Sequence, residues 1–375
     1  MKFSISKKEF VHGLARIHGI ADKRSSMPVL ANVLLNLGPA GLRISATNLH
    51  VGITGVVPAE IEDPGAITVA AKTLFDIVKN IPGDEIRIVT NENQWVQITA
   101  GRVKYKIAGI PAVDFPDLPS SADVEFFPLD SELLKGMIEK TSFAVSKEES
   151  RAHLNGALFE GDGKALKMVA TDGHRLSMVN QDLENHVNKF SMLIPLGGIQ
   201  ELRHLLDEGK GDVEIGVSGS NVFFRRNLAG ATEGVESEVT MNVKLVDAQF
   251  PPYQKVIPSM SQQQVRVGRT IFLEALRRTA LISRDKSVSL RLTFEDGKMT
   301  ITSDNPNIGE AREEINAQYE GESLVMGFNG KFLTDVLRAL DSEMVELSIN
   351  GPTDACVIRP PTDTGYLGVV MPIRL

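Results

Sequence analysis

The feature that most constrains this chain is that it repeats itself. An apolar pattern with helical spacing sets Phe10, Leu14 and Ile20 in line with Leu133, Met137 and Phe143 at a constant offset of 123 residues, and again with Phe272, Leu276 and Ile282. An alternating, strand-like stretch ending in a polar turn follows each time, at Thr47-Asn48, Thr171-Asp172 and Ser303-Asp304. A second helical pattern comes next, carried by Leu74, Asp76, Ile77 and Ile81, then by Ile199, Glu201, Leu202 and Leu206, then by Leu333, Asp335, Val336 and Leu340, at offsets of 125 and 134. The first two copies close alike, on Asp114-Phe115-Pro116 and Gln249-Phe250-Pro251, where the offset has grown to 135. About ten residues are therefore inserted in the second copy, and the Gly- and Glu-rich stretch 228–238 is the natural place for them as a surface loop.

Short helices resemble one another by chance; three landmarks in one order at nearly constant spacing do not. The pattern predicts three copies of a module of about 125 residues, each an α+β unit with two helices and several short, mostly antiparallel strands. Pro, Ser, Asp and Gln accumulate near Asp123 and Met260, which gives modules 1–123, 124–260 and 261–375. Within each module the helix-plus-strands pattern occurs twice, so the chain reads as six half-modules.

Composition removes several classes of function. With 42% apolar and 23% charged residues the chain is far from the disordered class. No run approaches the roughly eighteen apolar residues of a membrane span, and MKFSISKKEF has no apolar signal core, so a cytoplasmic protein without membrane partners is expected. One cysteine, Cys356, rules out an internal disulfide framework and any Cys-based zinc cluster. There is no P-loop, dinucleotide glycine fingerprint or HExxH, and the seven histidines show no i, i+4 pair on one helix, so neither cofactor nor metal is expected. Asp172-Gly173-His174-Arg175 offers an acid, a base and an anion-binding arginine, and a three-domain hydrolase built on Asp172 and His174 is the alternative function. The equivalent residues elsewhere, Asn48-Leu49-His50 and Asp304-Asn305-Pro306, favour a strand-to-turn role instead.

Charge is segregated. The chain carries −8 overall, but windows 5–18, 71–82, 131–144, 197–206, 269–283 and 330–340, which hold the helical patterns, sum to +6 and leave −14 for the remainder. Cationic helices in a repeated array suggest a basic surface facing phosphates. Six helices packed side by side at about 9 Å would ring a hole about 17 Å across at their axes, too small for a duplex. Twelve give about 34 Å, so a head-to-tail homodimer would make an opening that a double helix can occupy and would also cover exposed strand edges.

From MKFSI through RSSMPVLANVLL, RAHLNGALFE, ATDGHRLSM and FPPYQKVIP to the terminal VVMPIRL, the sequence resembles the bacterial DNA polymerase III beta subunits, the replicative sliding clamps. The most specific pieces are Thr171-Asp172-Gly173-His174-Arg175-Leu176 and Met371-Pro372-Ile373-Arg374-Leu375. The resemblance implies a non-catalytic, head-to-tail homodimeric ring of six similar domains, nucleoid-associated, that encircles duplex DNA without sequence preference. It also implies an ATP-dependent clamp loader, the DNA polymerase III catalytic subunit, and other polymerases and repair proteins as partners, bound through short hydrophobic peptides. Carried over by position, the partner-peptide pocket would use Leu154, Thr171, Gly173, His174, Arg175, Leu176, Pro251, Lys255, Val256, Val369, Val370, Met371, Pro372, Ile373, Arg374 and Leu375. DNA contacts would fall on Arg24, Lys72 and Lys147, and the dimer interface on Tyr105 and Ile107 against Leu281 and Ile282. The sequence departs from the family where Leu196, Gly197 and Gly198 replace basic residues, where Ser287 replaces a pocket aromatic, and where Glu148 stands beside Lys147.

Overall fold

The computed structural model describes all residues except 22–24, 92, 149, 233, 235, 259–262, 284–288, 363, 364 and 375, and the side chains of 184, 185 and 236. Arg24, Ser287 and Leu375 thus lie outside the described residues. Six α-helices form where the repeat places them: α1 Lys7–Ile17, α2 Ala71–Asn80, α3 Ser131–Thr141, α4 Leu196–Leu206, α5 Arg269–Thr279 and α6 Gly330–Arg338. Each buries one stripe at three- and four-residue spacing, as with Phe10, Leu14 and Ile17 on α1 and Leu333, Val336 and Leu337 on α6. Among the described residues two N-termini have side-chain caps: Asp130 Oδ1 accepts from Leu133 N at 2.7 Å, and Asn329 Oδ1 from Lys331 N at 3.0 Å.

The chain divides into two compact units, one of residues 1–135 and 197–245, the other of 136–196 and 246–375. The first unit holds a thirteen-stranded antiparallel sheet among the described residues, with α1 packed on the strands Gly41–Thr47 and Val51–Val57 and on α2. Its two modules join where Val51–Val57 pairs with Glu236–Lys244, Gly52 lying opposite Asn242. The second unit holds a six-stranded and a four-stranded sheet, with α5 and α6 packed together. Its junction repeats the first: Arg175–Pro195 pairs with Tyr366–Val370, Leu176 lying opposite Val369. In both, the strand after the polar turn of one module takes the last strand of the next.

The inserted stretch does not fold as expected. A loop across 228–238 would leave Leu228 in solvent, whereas Leu228 is buried and pairs with Ser237, and Asn227 pairs with Glu238. The strands Asn221–Ala229 and Glu236–Lys244 continue through most of the insert, because the alternation of Leu228, Val239 and Met241 gives them an apolar face to bury. The insertion therefore lengthens a hairpin. Its tip returns to α1, where the Glu9 carboxylate accepts hydrogen bonds from Thr232 N at 2.6 Å and Ala231 N at 3.3 Å, and Arg16 Nη2 donates to Ala229 O at 2.9 Å.

The helical cations are less free than their count suggests. Arg16 pairs with Glu208, Lys135 with Asp207 and Arg278 with Glu313, all acids outside the helix windows, so part of the +6 is neutralised on the spot.

Candidate functional site

The Thr171–Arg175 turn is built by its own side chains. Thr171 Oγ1 donates to Arg175 O at 2.7 Å and accepts from Gly173 N at 3.1 Å, while Asp172 Oδ1 accepts from both His174 N and Arg175 N at 3.0 Å. Gly173 has a φ of 88°, a left-handed conformation that favours glycine. The first module makes the same turn with an amide in place of the acid: Thr47 Oγ1 donates to Val51 O at 3.0 Å, and Asn48 Oδ1 accepts from His50 N at 3.0 Å and Val51 N at 2.8 Å. A position that works equally well as Asn holds a turn and needs no titratable group. The acid–base use of Asp172 and His174 fails on this geometry, since the second Asp172 oxygen accepts from Arg175 Nε at 3.1 Å and the His174 ring stacks toward Phe332 at 6.2 Å.

Arg175, one of the expected pocket residues, is buried. Its guanidinium donates to Asp172, to Asp335 Oδ2 at 2.6 Å and to Phe143 O at 2.7 Å, and lies 4.6 Å from the Phe332 ring centroid. It fixes the turn rather than presenting a charge to solvent. Val370 is also fully buried.

The remaining expected pocket residues gather around the strand junction. Leu176 and Val369 share an apolar cluster with Leu158, Val169, Tyr253 and Val357, fringed by half-buried Met178, Phe250, Ile257 and Leu367. The 3-10 turn Tyr253–Val256 anchors through buried Tyr253 and leaves Lys255 and Val256 exposed, with half-buried Pro251 just before it. Met371 N donates to His174 O at 2.9 Å, and Ile373 N to Gly327 O at 2.8 Å, so the tail is tied to the turn and to the third module. Met371 and Arg374 stay exposed and Pro372 and Ile373 half-buried. Leu154 is buried in the 3-10 turn Ala152–Leu154, which packs on the strand Gly156–Thr171. Tyr253 belongs to the cluster and Phe250 to its rim, and neither is among the residues expected there, although Phe250 belongs to the closing landmark that repeats Phe115. Burial and neighbouring Glu160 push the Tyr253 hydroxyl up to about 12.

Lys72 is exposed at the start of α2 with Asp76 at 3.7 Å, and Lys147 is exposed beside Glu148, whose carboxylate accepts from Arg151 Nε at 2.9 Å. Gly198 has a packing reason: a Cβ there would meet Val243 Cγ1 at 2.4 Å, so no basic side chain fits. Tyr105 and half-buried Ile107 lie on Val103–Pro111, and Leu281 and half-buried Ile282 on the 3-10 turn Ala280–Ile282, where Leu281 is 80% exposed.

Three domain models together match nearly all of the chain: DNA polymerase III beta subunit N-terminal domain over residues 1–119, central domain over 128–252 and C-terminal domain over 254–374. The chain belongs to the DNA polymerase III beta subunit family. It is 34% identical to the beta sliding clamp of Pseudomonas aeruginosa, with both chains covered in full. A crystal structure of the DNA polymerase III subunit beta from that organism superposes with a TM-score of 0.92 at 34% identity over all of both chains. A Bartonella birtlesii sliding clamp bound to griselimycin gives 0.91 at 33% identity, again over all of both chains. The chain is thus a sliding clamp of three α+β modules, and the hydrolase alternative has no support from these relatives. Among the described residues no helix is long and apolar enough to cross a membrane.

Proposed function

We propose that two copies of this chain close head to tail into a ring that encircles duplex DNA without reading its sequence and tethers the replicative polymerase. One observation carries the closure. Each of the two internal junctions joins the post-turn strand of one module to the last strand of the next, and the pattern leaves one of each strand over. Along 103–108 the last strand of the first module has Trp95–Ala100 on one side and no strand on the other among the described residues. The post-turn strand of the third module, Gly309–Asn316, is likewise an edge.

Register extends the analogy. Gly52, Leu176 and Glu310 hold equivalent places beside Thr47, Thr171 and Asp304, and Asn242, Val369 and Lys106 hold equivalent places beside Phe223, Val357 and Gln97. The third junction would then set Lys106 opposite Glu310 of the second copy and Tyr105 opposite Ala311. The edges are complementary in charge, with Lys104 and Lys106 on one and Glu310, Glu313 and Glu314 on the other. Pairing would also cover Tyr105 on one side and Leu281, Ile282 and Ile308 on the other, and remove two edges that would otherwise aggregate.

Module boundaries near 123 and 260, phosphate contacts from Lys72 and Lys147, and a cytoplasmic, nucleoid-associated location belong to the same proposal. The groove around Leu176, Val369, Tyr253, Val256 and Met371 suits the hydrophobic anchors of short partner peptides, through which the polymerase, a clamp loader, other polymerases and repair proteins would compete. The sequence holds no ATP-binding motif, so energy for loading would come from the loader. The deciding experiment is retention on DNA. Protein assembled on a nicked circle should stay bound through gel filtration and leave when the circle is cut; equal loss from circular and linear DNA would refute enclosure.

A further inference from the structure

One face of the six-stranded sheet grades from apolar to charged. Strand register sets Met178, Leu367, Arg359, Glu346 and Arg266 in one row across the sheet. The adjacent row on the same face begins with the groove residues Leu176, Val369 and Val357. Glu346 is 3% exposed, yet its oxygens are fully engaged: Oε1 accepts from Arg359 Nε at 3.1 Å and Nη2 at 2.6 Å, and Oε2 from Arg266 Nε at 3.1 Å. The two arginine side chains remain 44% and 50% exposed. One buried carboxylate between two half-exposed guanidiniums leaves a net positive charge held in fixed orientation, with one terminal nitrogen of Arg359 and both of Arg266 making no protein hydrogen bond among the described residues. Arg266 also lines a cavity with Asp296 and Glu320, which makes Arg359, nearer the groove, the better placed of the two.

We infer that Arg359, steadied by Glu346 and supported by Arg266, recognises an acidic side chain in the peptide that occupies the neighbouring groove. The inference rests on the groove being a peptide site and adds the charge its ligands carry. Strands lie about 4.8 Å apart and rise about 3.4 Å per residue, so Arg359, two strands across and two residues along from Leu176, is about 12 Å away, or about three to four residues of extended peptide from an anchor over Leu176. A purely structural ion pair would be indifferent to the charge of the peptide.

The test uses the full chain and synthetic peptides with common apolar anchors and either Asp or Asn three residues to one side or the other of the central anchor, followed by fluorescence anisotropy. On one flank the Asp peptide should bind about five-fold more tightly than its Asn twin. Arg359→Gln and Arg266→Gln should narrow that ratio while leaving the Asn peptide's affinity unchanged, and Arg359→Lys should retain part of it; should Arg359→Gln fail to fold, Arg266→Gln is read in its place. Equal binding of Asp and Asn peptides on both flanks, or a preference that survives both glutamine variants, overturns the inference. The groove is scored separately by the Asn peptide: if it binds the full chain but not a chain ending at Val370, the groove stands even where the charge preference is absent. If it binds neither, groove and inference fall together. Loss of duplex binding in the glutamine variants without any peptide discrimination would assign the arginines to phosphate and equally overturn the proposal.

Discussion

Arg175 donates to Asp335 at 2.6 Å, joining the turn of the second module to α6 of the third. The arginine side chain is 7% exposed and the aspartate 14%, so little solvent is available to compensate for the loss of either. Arg175→Ala should leave Asp172 and Asp335 without their shared cation and destabilise the protein by about 3 kcal/mol, measured by chemical denaturation. Full stability in that variant would mean that the turn is held by its backbone bonds alone.

The Glu9 carboxylate gives a second prediction. Burial acts to raise its pKa, but the hydrogen bonds from Thr232 and Ala231 outweigh burial and hold it below the ordinary carboxylate value. A carboxyl group depressed in the folded state binds fewer protons folded than unfolded, so its contribution is complete above the unfolded pKa and is lost as pH falls through the folded one. Melting temperature should drop on acidification below about pH 4.5, the reference range for Glu, and Glu9→Gln should flatten part of that drop. Glu9→Ala should cost about 1–3 kcal/mol, because it strands the hairpin-tip amides.

Glu346 should act in the same direction. Burial opposes its ionisation, and the hydrogen bonds from Arg359 and Arg266 prevail, so its pKa also lies below the ordinary value. Combining Glu346→Gln with Glu9→Gln should flatten the acid limb further than either change alone, since the two lie in separate compact units. An unchanged limb in the double variant would place the acid sensitivity elsewhere.

Ring closure predicts monomers from Ile282→Asp, which would bury an unpaired charge at the joint. Sedimentation velocity should report the monomer mass with the wild-type unfolding profile. Charge reversal is the sharper test of register: Lys106→Glu and Glu310→Lys should each weaken the dimer, and together restore it, only if those residues face one another.

Removal of residues 371–375 should abolish binding of apolar partner peptides while leaving the dimer intact. An unchanged affinity, read by the same anisotropy assay, would remove the tail from the groove.

The threefold repeat, the α+β class and the positions of all six helices were legible in the chain, because they depend on local apolar spacing that each module must satisfy for its own core. The repeated Thr-Asx turn could be read in the same way, since its hydrogen bonds run between residues at most four apart. The sequence could not reveal what distant strands do to one another. Nothing local to Arg175 announces that its guanidinium is held by Asp335, 160 residues away. The sequence offered 228–238 as a loop until Glu9, more than two hundred residues upstream, accepted hydrogen bonds from the hairpin tip. Likewise Arg359 and Arg266 became one charged patch only through the strand that carries Glu346 between them. Periodicity encodes which face of an element is buried; pairing between remote elements decides which charges are consumed in holding the fold and which remain for a partner.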